Sequence, residues 1–151
     1  TSDCPLLDPV LMDEIIQLAV VNDLDYTTNT LIEAFPDGQD VEVIKWSAFE
    51  KSWKETSLKS DREHVTPYIR VNSSFFGKNL FKSKNFDSSE NYNKVRMTVD
   101  ESKDFDAIKI LTTTLGIDKN WKDYTDFILN NPDLFFNQQI IRNEGSIISN
   151  Q

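Results

Sequence analysis

Two aspartates almost one hundred positions apart carry the most chemical promise in this chain. Asp3 lies in Thr1-Ser2-Asp3-Cys4-Pro5-Leu6 and Asp100 closes Arg96-Met97-Thr98-Val99-Asp100. Each follows or ends a strand-like stretch, and a helical pattern begins soon after. That arrangement would place both carboxylates at the carboxyl edge of an open α/β sheet, where ligands of such sheets bind. Two carboxylates on one edge suit Mg²⁺, or Mn²⁺ in its place, shared with substrate phosphates. The plainer reading makes Asp3 a turn or helix-entry carboxylate and Asp100 a structural strand end.

Other candidates are weaker. Asp37-Gly38-Gln39-Asp40-Val41-Glu42 sets three carboxylates around a turn and a strand start. It lacks the glutamate that a twelve-residue calcium loop requires. Asp37, Asp40 and Glu42 are therefore either a solvated turn or hydrogen-bonding partners for a polyhydroxylated substrate. His64, the only histidine, sits in Arg62-Glu63-His64-Val65-Thr66-Pro67-Tyr68. Arg62 beside it can bind an anion. One histidine and one cysteine do not make a zinc site, and Cys4 is read as a packed residue rather than a nucleophile. The glycines Gly38, Gly77, Gly116 and Gly145 form no phosphate-binding loop.

With 151 residues the chain is long enough for one domain with a real core. Its net charge of −9 argues against a nucleic-acid backbone or an anionic membrane as partner. A nucleotide stays open, because a metal offsets phosphate charge. A single cysteine permits no intrachain disulfide, which fits a cytoplasmic setting. No apolar stretch is long enough for a transmembrane helix, and no signal peptide is visible. The chain opens on a motif without a starting Met, as the remainder of a longer protein would.

The elements that must position these residues read as strands alternating with helices, an α/β fold with a mainly parallel sheet. Asp8-Pro9 opens a helix with Leu11, Ile15, Leu18 and Ala19 on one face. Strands are expected over 25–31 and 40–46, the latter with Val41 and Val43 inward and Glu42 and Ile44 outward. Ser47-Ala48-Phe49-Glu50 and Ser60-Asp61-Arg62-Glu63 read as capping boxes, with Phe49 and Trp53 forming the apolar face behind the first. Pro67 should kink or end the second helix. Residues 72–93 read as a loop enclosing a short strand near 79–82, and 94–99 as a strand. Ser102 should cap a helix buried through Phe105, Ile108, Leu111 and Leu115 and ended by Gly116. Trp121, Tyr124 and Ile128 mark a last helix that stops before Pro132.

The segments Thr1–Pro9, Asp25–Thr30, Phe35–Val43, Arg62–Ile69, Arg96–Asp100 and Arg142-Asn143-Glu144-Gly145 together resemble the sugar cytidylyltransferases. The nearest branches are those of spore coat polysaccharide biosynthesis and of the acylneuraminate and 3-deoxy-manno-octulosonate enzymes. His64-Val65-Thr66-Pro67-Tyr68 and Pro36-Asp37-Gly38-Gln39-Asp40-Val41-Glu42 are the more specific runs. Where the family usually has Thr-Pro-Glu after the second aspartate, this chain has Glu101-Ser102-Lys103.

The resemblance implies a Rossmann-like, GT-A-like three-layer sandwich whose N-terminal nucleotide-binding part is missing, so that 1–151 is the C-terminal sugar- and metal-binding portion. It implies CTP and a sugar as substrates, a CMP-sugar and pyrophosphate as products, and a homodimer. Asp3 and Asp100 would bind Mg²⁺ and act in catalysis; Asp37, Asp40, Glu42, Arg62 and His64 would serve the substrate. Alone, such a chain should be weakly active or inactive. The alternative is a non-catalytic acidic binding or assembly module, with Phe75, Phe76, Leu80, Phe81, Phe135 and Phe136 as a partner surface if exposed.

Overall fold

The helical periodicity of residues 9–21 resolves into α1, Pro9–Val21, with Leu11, Ile15 and Ala19 buried and Leu18 half-buried. A computed structural model describes residues 2–56, 62 and 66–140 of the chain. Within them the contacts separate into two compact units. One holds Pro9–Glu33 and Val41–Ser89, and the other Thr1–Asp8, Ala34–Asp40 and Glu90 onward.

The first unit is built on a three-stranded sheet. β1 (Tyr26–Thr28) is central, β2 (Glu42–Ile44) pairs with it antiparallel, and β3 (Ser83–Asn85) pairs parallel. The sheet is therefore mixed, which corrects the expected mainly parallel arrangement. All three β1 residues are buried, as in a strand covered on both faces. Tyr26 packs with Leu31, Ala48, Ile69 and Phe81, and Ile44 leans on this cluster instead of facing outward. β1 stops at Thr28 because Asn29 turns its side chain to the backbone, accepting from Val41 N–H at 2.9 Å. The third strand lies at 83–85 rather than 79–82, where Phe81 makes a single bridge to Ser73.

Strand β2 hands over directly to α2, Trp46–Glu55. Lys45 N–H still donates to Asp25 C=O, while the Lys45 carbonyl accepts from Ala48 and Phe49 and starts the helix. Lys45 is thus the cap, and the expected Ser47 capping box is not used. The buried face of α2 is Ala48 and Ser52, and Trp53 is exposed. Pro67 opens α3, Pro67–Val71; of the helix it was expected to end, only Arg62 falls within the described residues. The proline ring pre-sets the helical φ and its missing N–H costs nothing at a first turn. The box expected at Ser60 lies outside the described residues.

The second unit packs α4 (Ser102–Leu115) and α5 (Trp121–Asn130) with 3₁₀ turns at Pro132–Leu134 and Phe136–Gln139. Its core joins Leu6, Tyr92, Val95, Met97, Ile108, Leu111, Tyr124, Ile128 and Phe135. The α4 cap is Glu101, in a reciprocal capping box with Asp104, rather than Ser102. Phe105 is 60% exposed, and the buried face runs through Asp104, Ala107, Ile108 and Leu111. Phe81 and Phe135 are core residues of their own units and drop out of the expected partner surface, whereas Phe75, Phe76 and Phe136 are exposed.

Residues 95–99 follow a turn at Asn93 and Lys94 and are not a ladder strand, since the backbone pairs at isolated points. Asp37 N–H donates to Val95 C=O, Met97 N–H to Asp37 C=O, and Val99 N–H to Asp3 C=O, at 2.7–2.8 Å. On Arg96 the Gln138 side-chain amide takes the place of a strand, accepting from Arg96 N–H and donating to Arg96 C=O, both at 2.9 Å. Gln39 does the same for the N-terminal segment. Fully buried, it donates to Leu6 C=O at 2.8 Å and accepts from Asp8 N–H at 3.0 Å. Gln39→Leu strands both backbone groups in the interior and should cost about 1–3 kcal/mol, read as a lowered urea midpoint at unchanged slope.

Candidate functional site

The 95–99 segment brings Asp3, Asp37, Asp100 and Asp104 of the second unit together. Val99 N–H and the Thr98 hydroxyl both donate to Asp3 C=O, at 2.8 and 3.2 Å. Asp3 and Asp100 therefore lie on adjoining backbone, although 97 positions separate them in the chain. The Asp3 side chain is half-buried and that of Asp100 is 55% exposed.

Beside them lies a buried charge network that the sequence did not disclose. The Arg96 side chain is 7% exposed, and its guanidinium meets three carboxylates. Nε and Nη2 donate to the two oxygens of Asp104, each at 2.8 Å, the bidentate geometry suited to a planar fork. Nη1 donates to Asp37 Oδ2 and Nη2 also to Asp100 Oδ2, again at 2.8 Å. Asp104 is wholly buried and further accepts from Asn137 Nδ2 at 3.0 Å and from the backbone of Asp100 and Glu101 at 3.1 and 3.0 Å. Burial pushes the Asp104 carboxyl up, but Arg96, Asn137 and the two amides outweigh it and hold the pKa at about 2. Asp104 in turn raises the Arg96 pKa against the opposing effect of burial. The sequence signal was available in part, since Arg96 and Asp104 flank the cap of α4.

The remaining candidates are placed as follows. Asp37 is half-buried and committed to Arg96 through one oxygen. Asp40 is exposed in the same unit. In the sheet unit, exposed Glu42 accepts from the Tyr26 hydroxyl. Burial, then the Glu42 charge, raise the Tyr26 pKa far above the ordinary phenol value. Arg62 is exposed, stacks over the Trp53 ring with its guanidinium 4.7 Å from the centroid, and donates to Thr56 C=O at 3.4 Å. His64 and Arg142–Gly145 lie outside the described residues. Cys4 Sγ faces Asp3 Oδ1 at 3.7 Å.

No protein-family model matches the chain. An uncharacterized protein from Methanocaldococcus jannaschii is 33% identical over 139 residues, which cover 89% of this chain and 53% of that protein. A solved cytidylyltransferase from Leptospira borgpetersenii serovar Hardjo-bovis superposes with a TM-score of 0.81 at 28% identity, over 93% of this chain and 58% of that one. The chain is similar in fold to a cytidylyltransferase. It spans about half the length of the curated relative and under two thirds of the solved cytidylyltransferase.

Among the described residues, no group of three or more His, Cys, Asp and Glu side chains is gathered to hold a metal by itself. Asp3 and Asp100 nonetheless offer the donors Mg²⁺ prefers. That ion commonly takes one or two carboxylates and completes its shell with water and substrate phosphates. No helix of the described residues is long and apolar enough to cross a membrane.

Proposed function

We propose that this chain is the metal- and sugar-binding portion of a CTP-dependent nucleotidyltransferase. The parent enzyme would have a three-layer Rossmann-like fold, act as a homodimer, and activate a sugar, of acidic type, as its CMP derivative for surface polysaccharide synthesis. The observation that carries this reading is the backbone pairing of Val99 with Asp3, which brings Asp3 beside Asp100. The fold likeness to a cytidylyltransferase supports it.

In the reaction a sugar hydroxyl oxygen bonds to the α-phosphorus of CTP. The bond from that phosphorus to the bridging oxygen breaks, pyrophosphate leaves with its electron pair, and the hydroxyl proton passes to solvent. Asp3 and Asp100 would hold Mg²⁺, which when bound neutralises phosphate charge and orients an in-line displacement. Asp40, in the same unit, would face the sugar. Because this span is about half of the curated relative, the chain alone is expected to turn over little or no CTP.

Titration calorimetry with Mg²⁺ or Mn²⁺ in the presence of CTP tests the reading. Once the heat of the cation binding CTP alone is subtracted, binding by the protein should vanish in Asp3→Asn and in Asp100→Asn, whose isosteric amides keep the fold. Binding that ignores both changes would sink it. A non-catalytic module is the second reading, favoured by the exposed, edge-to-face pair Phe75 and Phe76 at 5.2 Å. It expects no cation binding beyond that of CTP alone.

A further inference from the structure

We infer that Arg96 is a positioning residue for the Asp100 carboxylate, and that Asp104 and Asp37 offset its charge so that a divalent cation still prevails at Asp100. This rests on the reading of Asp100 as a metal ligand and goes beyond it, to what makes an exposed aspartate a usable one.

Asp100 is more than half exposed, and a free carboxylate there would sample several rotamers. The Arg96–Asp104 pair holds it at two points. Its Oδ2 accepts from Arg96 Nη2 at 2.8 Å, and its backbone N–H donates to Asp104 Oδ2 at 3.1 Å. The platform itself is fixed, because Arg96 and Asp104 are buried, doubly bonded to each other and braced by Asn137. Tethering one oxygen leaves Oδ1 of Asp100 for a cation. Partners of this kind orient metal ligands and tune their basicity.

A guanidinium on a metal ligand also competes with the metal. Here the competition is blunted. Asp104 takes Nε and shares Nη2, and Asp37 takes Nη1. One cation faces three carboxylates, so the local charge stays negative even with Arg96 in place. Arg96 supplies direction, and its other two partners absorb its charge.

Mn²⁺ titration followed by electron paramagnetic resonance, with CTP present and the Mn²⁺ held by CTP alone subtracted, tests this on the 151-residue chain. Arg96→Lys keeps the charge but loses the fork, and should weaken Mn²⁺ binding about 10–100-fold. Asp37→Asn should also weaken it, by a smaller factor, because Arg96 then leans harder on Asp100. Asp37 keeps its backbone pairing with Val95 and Met97 in that variant, so it decides the matter should Arg96→Lys fail to fold by circular dichroism. A platform that serves only the fold gives wild-type Mn²⁺ affinity in every folded variant, and that result overturns the inference. Asp3→Asn and Asp100→Asn separate the two levels. If both lose Mn²⁺ while Arg96→Lys and Asp37→Asn keep it, only the positioning role falls. If all four keep it, or the unaltered chain binds none, the metal reading falls and takes the positioning role with it.

Discussion

Asp104→Ala is expected to cost about 3–5 kcal/mol, enough to unfold much of the population of a marginally stable domain. The change leaves the Arg96 guanidinium buried without its bidentate partner, and strands Asn137 Nδ2 and the amides of Asp100 and Glu101. Asp37 and Asp100 still face the guanidinium, so the buried donors left without an acceptor, rather than a bare charge, dominate that cost. Arg96→Met together with Asp104→Leu should therefore lose clearly less than the two single changes combined, with a coupling of about 2–3 kcal/mol in a double-mutant cycle. Additive losses in urea unfolding would show that the pair is not the unit it looks to be.

The same contacts fix the acid limb of stability. Asp104 titrates at about 2 in the folded chain and at an ordinary 3.8 when unfolded. Its contribution, about 2 kcal/mol, is thus complete above about pH 4 and drains away as pH falls toward 2. Asp104→Asn should flatten the stability profile within that window and leave its shape above pH 5 unchanged.

How much of this was readable in advance follows from where each interaction closes. Pro9 before an apolar stripe, Gly116 at a helix end and Pro132 after one are local signals, and α1, α4 and α5 lie where those residues put them. Strand 26–28 was legible as a Thr- and Tyr-rich run and 42–44 as alternation, but their ends were not. Asn29 and Lys45 decide those ends through bonds to distant backbone. The α4 stripe failed for a deeper reason. A pattern of apolar residues picks Phe105 because it never expects an aspartate inside, yet Asp104 is the buried residue and turns Phe105 outward. Residues 94–99 likewise looked like a strand because their composition suits an extended backbone. That their neighbour is the side-chain amide of Gln138 is a fact of tertiary closure that no local pattern carries. Asp3 and Asp100 were legible as candidates by type, and their adjacency by the Val99–Asp3 pairing alone.

Gly38→Ala should be the second severe change, at about 2–4 kcal/mol. Gly38 has φ +99°, and a Cβ there would lie 2.7 Å from both the carbonyl carbon and oxygen of Met97 and 2.9 Å from Thr98 N. All three are backbone atoms of the segment that carries Arg96 and Asp100, so no rotamer change relieves the clash; one chain must move away from the other. Gly77→Ala is the matched control. Its φ is +73°, but a Cβ there meets nothing within 4 Å, so it should cost only the left-handed backbone penalty of about 1 kcal/mol. The difference between the two measures the steric part. Gly38 follows Asp37, whose carboxylate holds Arg96 Nη1 and whose amide and carbonyl pair with Val95 and Met97. Separating the two chains should therefore loosen Arg96 on its Asp37 side as well as destabilise the unit. Folded Gly38→Ala should then show weaker Mn²⁺ binding in the presence of CTP, where Gly77→Ala shows none of that loss. Equal unfolding costs for the two alanines would mean that the 36–38 turn relaxes freely against Met97, and that the close approach does not hold the network in place.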